Sequence, residues 1–241
     1  WAIDAKGKTR IFEVTGRNIT IKNLTLKNGH AFDGGAIKND NGQLKVCGST
    51  FEGNIARFGG AINNEKGVLK VYGSTFEGNM AHDAGGAIRN FLGELSVVDS
   101  TLQGNTAEKH SGGAIKNDYG QFTVYGSTFA GNTAKDSGGA IFNTDCELSV
   151  HESMFAGNTA EKHSGGAIRH LRGELTITDS TLTENTSQWG GGAISITNYV
   201  PESTITSSTF AGNAAQKWGG AIDNSGELTV SDSTLQGNTA K

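Results

Sequence analysis

The sequence predicts an all-β fold, a right-handed single-stranded parallel β-helix. Three observations lead there: a repeat of 25–28 residues, period-two alternation within each repeat, and a chain with 36 Gly but one Pro.

The repeat comes first. Gly-Gly-Ala-Ile occurs eight times, beginning at Gly34, Gly59, Gly85, Gly112, Gly138, Gly165, Gly191 and Gly219. Each copy continues with x-Asn, a polar turn, Leu-x-Val, two turn residues, Ser-Thr-Phe-x-Gly-Asn and a polar loop. That reads as three short strands per coil separated by three turns. In the first copy Leu44 and Val46 share a face that Lys45 does not, and Ser49 and Phe51 flank an outward Thr50. Alternation in runs this short specifies strands, and no longer segment carries a helical apolar stripe.

One coil cannot bury its own apolar residues. Stacking does so, with each strand pairing its equivalent about 4.8 Å away. The Phe/Leu column becomes Phe51, Phe76, Leu102, Phe129, Phe155, Leu182, Phe210 and Leu235. Crossovers between parallel strands are nearly always right-handed, which sets the expected hand. Asn54, Asn79, Asn105, Asn132, Asn158, Asn185, Asn213 and Asn238 form an unbroken column, as amides stacked into a ladder would. A second Asn column, from Asn39 to Asn224, is interrupted by His170 and Ile196. Gly48, Gly73 and Gly126 share a turn position with Asp99, Asp179 and Asp232, all residues that tolerate left-handed backbone; Glu152 departs from that pattern.

Gly and Asn in this register point to a family. The repeated Gly-Gly-Ala-Ile, together with Phe-x-x-Asn at Phe51–Asn54, Phe76–Asn79, Phe129–Asn132, Phe155–Asn158 and Phe210–Asn213, resembles the chlamydial polymorphic outer-membrane protein repeats. It is also similar to adhesin-like β-helix proteins of bacteria and methanogenic archaea. The resemblance covers essentially the whole chain and implies an extracellular or cell-surface protein, often adhesive. The autotransporter members carry a C-terminal membrane barrel, and nothing in these residues resembles one. Two regions of one domain are expected: residues 1–33 as an N-terminal cap with the first divergent coils, and residues 34–241 as the eight regular coils.

Composition narrows the function. A net charge of −4 and the lack of basic–aromatic clusters give no reason to expect nucleic acid. No apolar run is long enough to span a membrane, and no signal peptide is visible. Cys47 and Cys146 lie about four coils apart, roughly 19 Å at the β-layer spacing, which is beyond disulfide reach. The last coil has no evident polar cap, so contact with another copy, end to end or in a fibre, or with a continuation of the chain, is expected.

Repeats of nearly constant length leave no long loops to wall a cleft, so no catalytic residue and no cofactor is expected. The exception is the Thr197–Pro201 stretch, read as a two-residue bulge. Glu147, Glu174, Glu202 and Glu227 precede the Leu-x-Val strand on consecutive coils; they read as a solvated row, with calcium as the alternative. Asp83, His110, Asp136 and His163 alternate in the column two residues before Gly-Gly, where cross-coil pairing is favoured over zinc. Lys38, Arg89, Lys116 and Arg169 form a basic stripe that reads as a solvated face, or as a track for anionic glycans. Phe32, Phe58, Trp189 and Trp218 either pack over the Gly-Gly turns or meet a glycan or a partner protein of a cell surface or matrix. Carbohydrate binding or polysaccharide cleavage is the alternative to a structural, adhesin-like role.

Overall fold

The computed structural model describes residues 1–197 and 202–241. Period-two side-chain alternation and punctual turns produce a parallel β-solenoid of about nine turns, with no helix among the described residues. The second turn shows the plan: strands Ile37–Asp40, Gln43–Cys47, Thr50–Glu52 and Ile55–Phe58. Each joins its equivalents above and below, giving three sheets of nine strands and one of ten. Registers preserve residue type, as in Ile62 between Ile37 and Ile88 and Phe76 between Phe51 and Leu102. The extra strand, Ala2–Asp4, pairs with Thr25–Lys27 ahead of the first full turn. Trp1 is fully exposed there, and at the other end Val230 and Leu235 are 41% and 50% exposed.

A short fourth strand joins the three expected. The segment read as a polar loop is extended and laddered in every turn, though often for two residues only, as at Thr106–Ala107 and Thr133–Ala134. Its inward residue is small: Ala56, Ala81, Ala107, Ala134 and Ala160 are buried, with Ser187 in the same column. A methyl group holds this sheet close to the interior without needing a thick core beneath it.

The interior is narrow and dry. Phe51 and Phe76 stack with ring centroids 4.6 Å apart and planes within 2°, and Phe129 and Phe155 repeat this at 4.7 Å and 5°. Their separation follows the strand spacing, so the ladder dictates the ring geometry. The Gly-Gly corners permit the tight cross-section. Gly138 has φ +64°, and a Cβ there would lie 2.3 Å from the Ile141 carbonyl oxygen; at Gly139 it would lie 2.1 Å from the Gly166 oxygen of the next turn. Glu152, which departed from the Gly/Asp turn pattern, adopts φ +48° like Asp99 at the equivalent corner. Stacking therefore imposes the turn on whatever residue sits there.

Polar ladders line the corners. Asn132 Nδ2 donates to the Leu102 carbonyl at 2.9 Å and to Asn158 Oδ1 at 2.9 Å, while Asn158 Oδ1 also accepts from the Asn132 backbone N–H at 3.0 Å. Both amide hydrogens and both oxygen lone-pair directions are used, so complete burial leaves nothing unsatisfied. A serine ladder runs beside it: each hydroxyl accepts from the Ser N–H of the preceding turn and donates to a carbonyl two residues back, as Ser127 does to Tyr125 at 2.8 Å.

Candidate functional site

Outward residues inherit the strand register, so every candidate is a column along the solenoid axis. The Leu-x-Val strands stack through Leu148–Leu175 and Ser203–Leu228, which sets Glu147, Glu174, Glu202 and Glu227 one above another, all exposed. Their contacts are local hydroxyls: Thr176 donates to Glu174 at 3.4 Å, and Thr229 donates to Glu202. Among the described residues no three or more His, Cys, Asp or Glu side chains gather to hold a metal. Side chains leaving one flat sheet in parallel point alike, whereas calcium draws several oxygen ligands toward one point.

The Asp–His column forms cross-turn pairs. His110 lies 3.2 Å from Asp83, and His163 lies 3.3 Å from Asp136. Half-exposed pairs of this kind contribute up to about 1 kcal/mol each. Asp83 also accepts from Arg57 Nε at 3.2 Å.

The four aromatic candidates share one side of the solenoid but form two clusters, five turns and roughly 24 Å apart. In the C-terminal cluster Trp189 packs edge-on against Trp218 at 5.9 Å, with Lys217 Nζ 4.1 Å above the Trp189 ring and His163 at 5.4 Å. Lys217 and His163 both contact the indole, which is 39% exposed, while Trp218 is 56% exposed. The N-terminal cluster is more open. Phe32 is 63% exposed and meets Phe58 edge-on at 6.4 Å. Arg57 lies 5.3 Å from the Phe32 ring and 4.9 Å from Phe58, whose ring also meets Arg89 at 4.9 Å; Arg89 in turn lies 4.7 Å from Phe91. Phe91 closes the row against Tyr119 at 6.2 Å.

This alternating row escapes a reading by columns. Phe58 and Arg89 belong to different sheets, and the Gly59 corner folds one over the other: a Cβ on Gly59 would lie 3.0 Å from the Arg89 nitrogen. The same folding corrects the expectation of a solvated basic stripe. Lys38, Arg89, Lys116 and Arg169 are half-buried, and Asn63 between them is 1% exposed. Lys116 pairs with Asp118 at 3.4 Å. Burial lowers the Arg169 pKa, and its guanidinium donates to Ser195 at 2.5 Å and Thr197 at 2.9 Å.

Two residues that interrupted sequence patterns have structural roles. His170 continues the second Asn ladder rather than breaking it, and Ile196 in the next turn ends it. Cys146 borders that ladder, accepting from Asn117 Nδ2 at 3.1 Å and donating to the Thr144 carbonyl at 3.1 Å. Burial pushes its thiol up to about 11. Both cysteines are free. The bulge expected at 197–201 lies, beyond Thr197, outside the described residues.

The parts that recur without exception are the Asn ladder and the Gly-Gly corner, and these are what comparison recognises. Residues 126–144, 179–197 and 207–225 match the Chlamydia polymorphic membrane protein repeat. Three stretches of the chain are thus similar to that repeat. Each matched stretch starts at the turn before Ser-Thr-Phe or Ser-Thr-Leu, passes through the ladder residue (Asn132, Asn185 or Asn213), and ends just past Gly-Gly-Ala-Ile. In the structure that is the Phe strand, the short Ala strand and the Ile strand of one turn. The matched signature therefore describes how these turns stack, and the likeness supports a surface-associated protein in general terms. No curated relative and no solved structure matches the chain.

Proposed function

We propose that this chain is a non-catalytic, extracellular contact module: a stiff β-solenoid that displays columns of side chains along its length for adhesion. The observation that carries the reading is the near-uniform cross-section. Register is kept from turn to turn, and the surface depressions are shallow hollows such as that of about 450 Å³ over Asn18, Gln43, Lys45, Lys70 and Glu94. A repetitive flank offers many equivalent contacts, which favours binding by avidity over enclosure of a small substrate. The similarity of three of its stretches to a membrane-protein repeat supports the same reading.

Purified, fluorescently labelled chain should bind saturably to cultured cells or immobilised matrix proteins. It should release no unsaturated or reducing ends from uronate polymers with calcium present. Measurable polymer turnover, or signal no higher than that of an unrelated β-solenoid of equal charge, defeats the proposal. Self-association is a second part of it. Equivalent strands pair turn on turn through their backbone edges, and a second copy would extend the same ladder. Light scattering should then show mass rising with concentration, and a constant monomer mass refutes this part.

A further inference from the structure

We infer that the N-terminal turns carry a binding site for an anionic polysaccharide, one bearing carboxylate or sulfate groups on its pyranose rings. The inference deepens the adhesive reading by naming a class of partner, and it rests on three observations.

The first is a hollow of about 450 Å³ lined by Lys8, His30, Ala31, Phe32, Arg57 and His82. Four of these six side chains are basic, and none is acidic. Arg57 and His82 pair with Asp83 and Glu108 just outside it, whereas Lys8 and His30 have no ion-pair partner among the described residues. The salt bridge of Arg57 uses Nε, so its terminal nitrogens remain to grip an oxyanion.

The second is the aromatic face. Phe32 presents an exposed ring at the rim, and the row Arg57, Phe58, Arg89, Phe91 continues from it along the axis. Guanidinium groups held against rings at 4.7–5.3 Å are restrained in advance, which lowers the entropic cost of binding an anion. A pyranose has an apolar C–H face suited to an aromatic ring and a polar rim suited to the flanking cations. Arg89 Nε is buried without a hydrogen-bond partner, so this cation too is incompletely compensated.

The third is the distribution of charge. Residues 1–66 contain ten Lys or Arg against six Asp or Glu, while residues 67–241 contain ten against eighteen. The net −4 of the chain conceals a basic end on an acidic rod. A polyanion is repelled by the rod and steered to that end. The Trp189–Trp218 cluster lies in the acidic part and is contacted by Lys217 and His163, which makes it the poorer site.

The test uses the intact chain and isothermal titration with a heparin-derived dodecasaccharide, with a neutral dextran oligosaccharide of equal length as comparison. Binding is expected for the sulfated chain only, weakening at least tenfold between about 0.05 M and about 0.5 M salt. Phe32→Ala and Lys8→Gln are both changes at exposed positions, and each should weaken it about fivefold or more with the melting temperature unchanged. Lys45→Ser/Lys70→Ser, which removes two cations from the hollow over a different sheet, should leave it within about twofold. No binding by the unaltered chain overturns the proposal, as does equal loss in the Lys45/Lys70 variant, which would indicate diffuse charge. Cell binding measured in parallel separates the two readings. Adhesion that survives Phe32→Ala while heparin binding is absent removes this site and leaves the adhesive role standing. Heparin binding without adhesion does the reverse.

Discussion

Asn143 donates through Nδ2 to Nδ1 of His170 at 3.1 Å, and His170 in turn approaches the Gly173 carbonyl through Nε2 at 2.9 Å. Asn117 does the same with Asn143 and the Gly120 carbonyl. A neutral imidazole, with one nitrogen accepting and the other donating, thus reproduces the hydrogen bonding of the asparagine it replaces. The ring has no further donor to pass on, and the next turn supplies Ile196, which needs none.

That arrangement requires the uncharged ring. Burial lowers the His170 pKa below the ordinary value near 6.5, despite the opposing bond to Gly173. The unfolded chain therefore binds more protons than the folded one once pH falls through about 6.5, and the stability contributed by the neutral ring is lost below that pH. His170→Asn removes the titration. The melting-temperature difference between the original chain and this variant should be constant above about pH 7 and move against the original chain as pH approaches about 5. A difference independent of pH contradicts the assignment. The remaining five histidines are common to both proteins and cancel.

The thiol of Cys146 should be inert while the chain is folded. With its pKa at about 11, roughly one molecule in a thousand carries the thiolate at pH 8. In a Cys47→Ser variant, Ellman's reagent should therefore give almost no colour until denaturant is added. Equal rates before and after unfolding would show that the thiol is not held in the ladder.

The Asn ladder should matter most where it is continuous. Asn132→Ala removes the acceptor of two donors on Asn105 and the donor to the Leu102 carbonyl, all of them buried. The expected cost is about 3 kcal/mol, read from urea denaturation. Asn238, in the last turn and half-exposed, should lose less than about 1 kcal/mol on the same change, since water replaces the missing partner. Equal losses at both sites would make the ladder incidental.

Two glycine substitutions separate conformation from space. Gly131 has φ +59° with nothing within 4 Å of an added Cβ, so Gly131→Ala should cost about 1–2 kcal/mol, the left-handed backbone term alone. Gly139 meets the backbone of the next turn, so Gly139→Ala should abolish cooperative unfolding or split the transition at that turn. Circular dichroism melts distinguish the two, and a folded, cooperative Gly139→Ala variant would refute the close approach.

Much of this architecture is legible in the residues. Phe51 and Phe76 fall at one register, Asn54 and Asn79 at another, and both stack as spacing implies. The serine ladder runs unbroken from Ser49 to Ser233, and the buried Ala column runs from Ala56 to Ala215 with Ser187 as its one exception. They were legible in principle, but short polar and small residues in a loop carry no apolar alternation to announce a strand. The surface was less legible. Spacing brought Asp83 to His110, yet it gave no sign that Phe58 lies over Arg89 or that Lys38 and Arg169 are half-covered.

Sequence alone determined which residues are equivalent, because a near-constant repeat leaves a stacked chain one register that keeps the Phe/Leu column from Phe51 to Phe210 and the Ile column from Ile37 to Ile194 inside. Tertiary structure decided what lies between equivalent positions: how the Gly-Gly corner turns one sheet back across its neighbour, which cations it presses onto rings, and which it leaves open. Such contacts join different columns through space, and the backbone angles of the corners set them, with no periodicity to record them in the order of the residues.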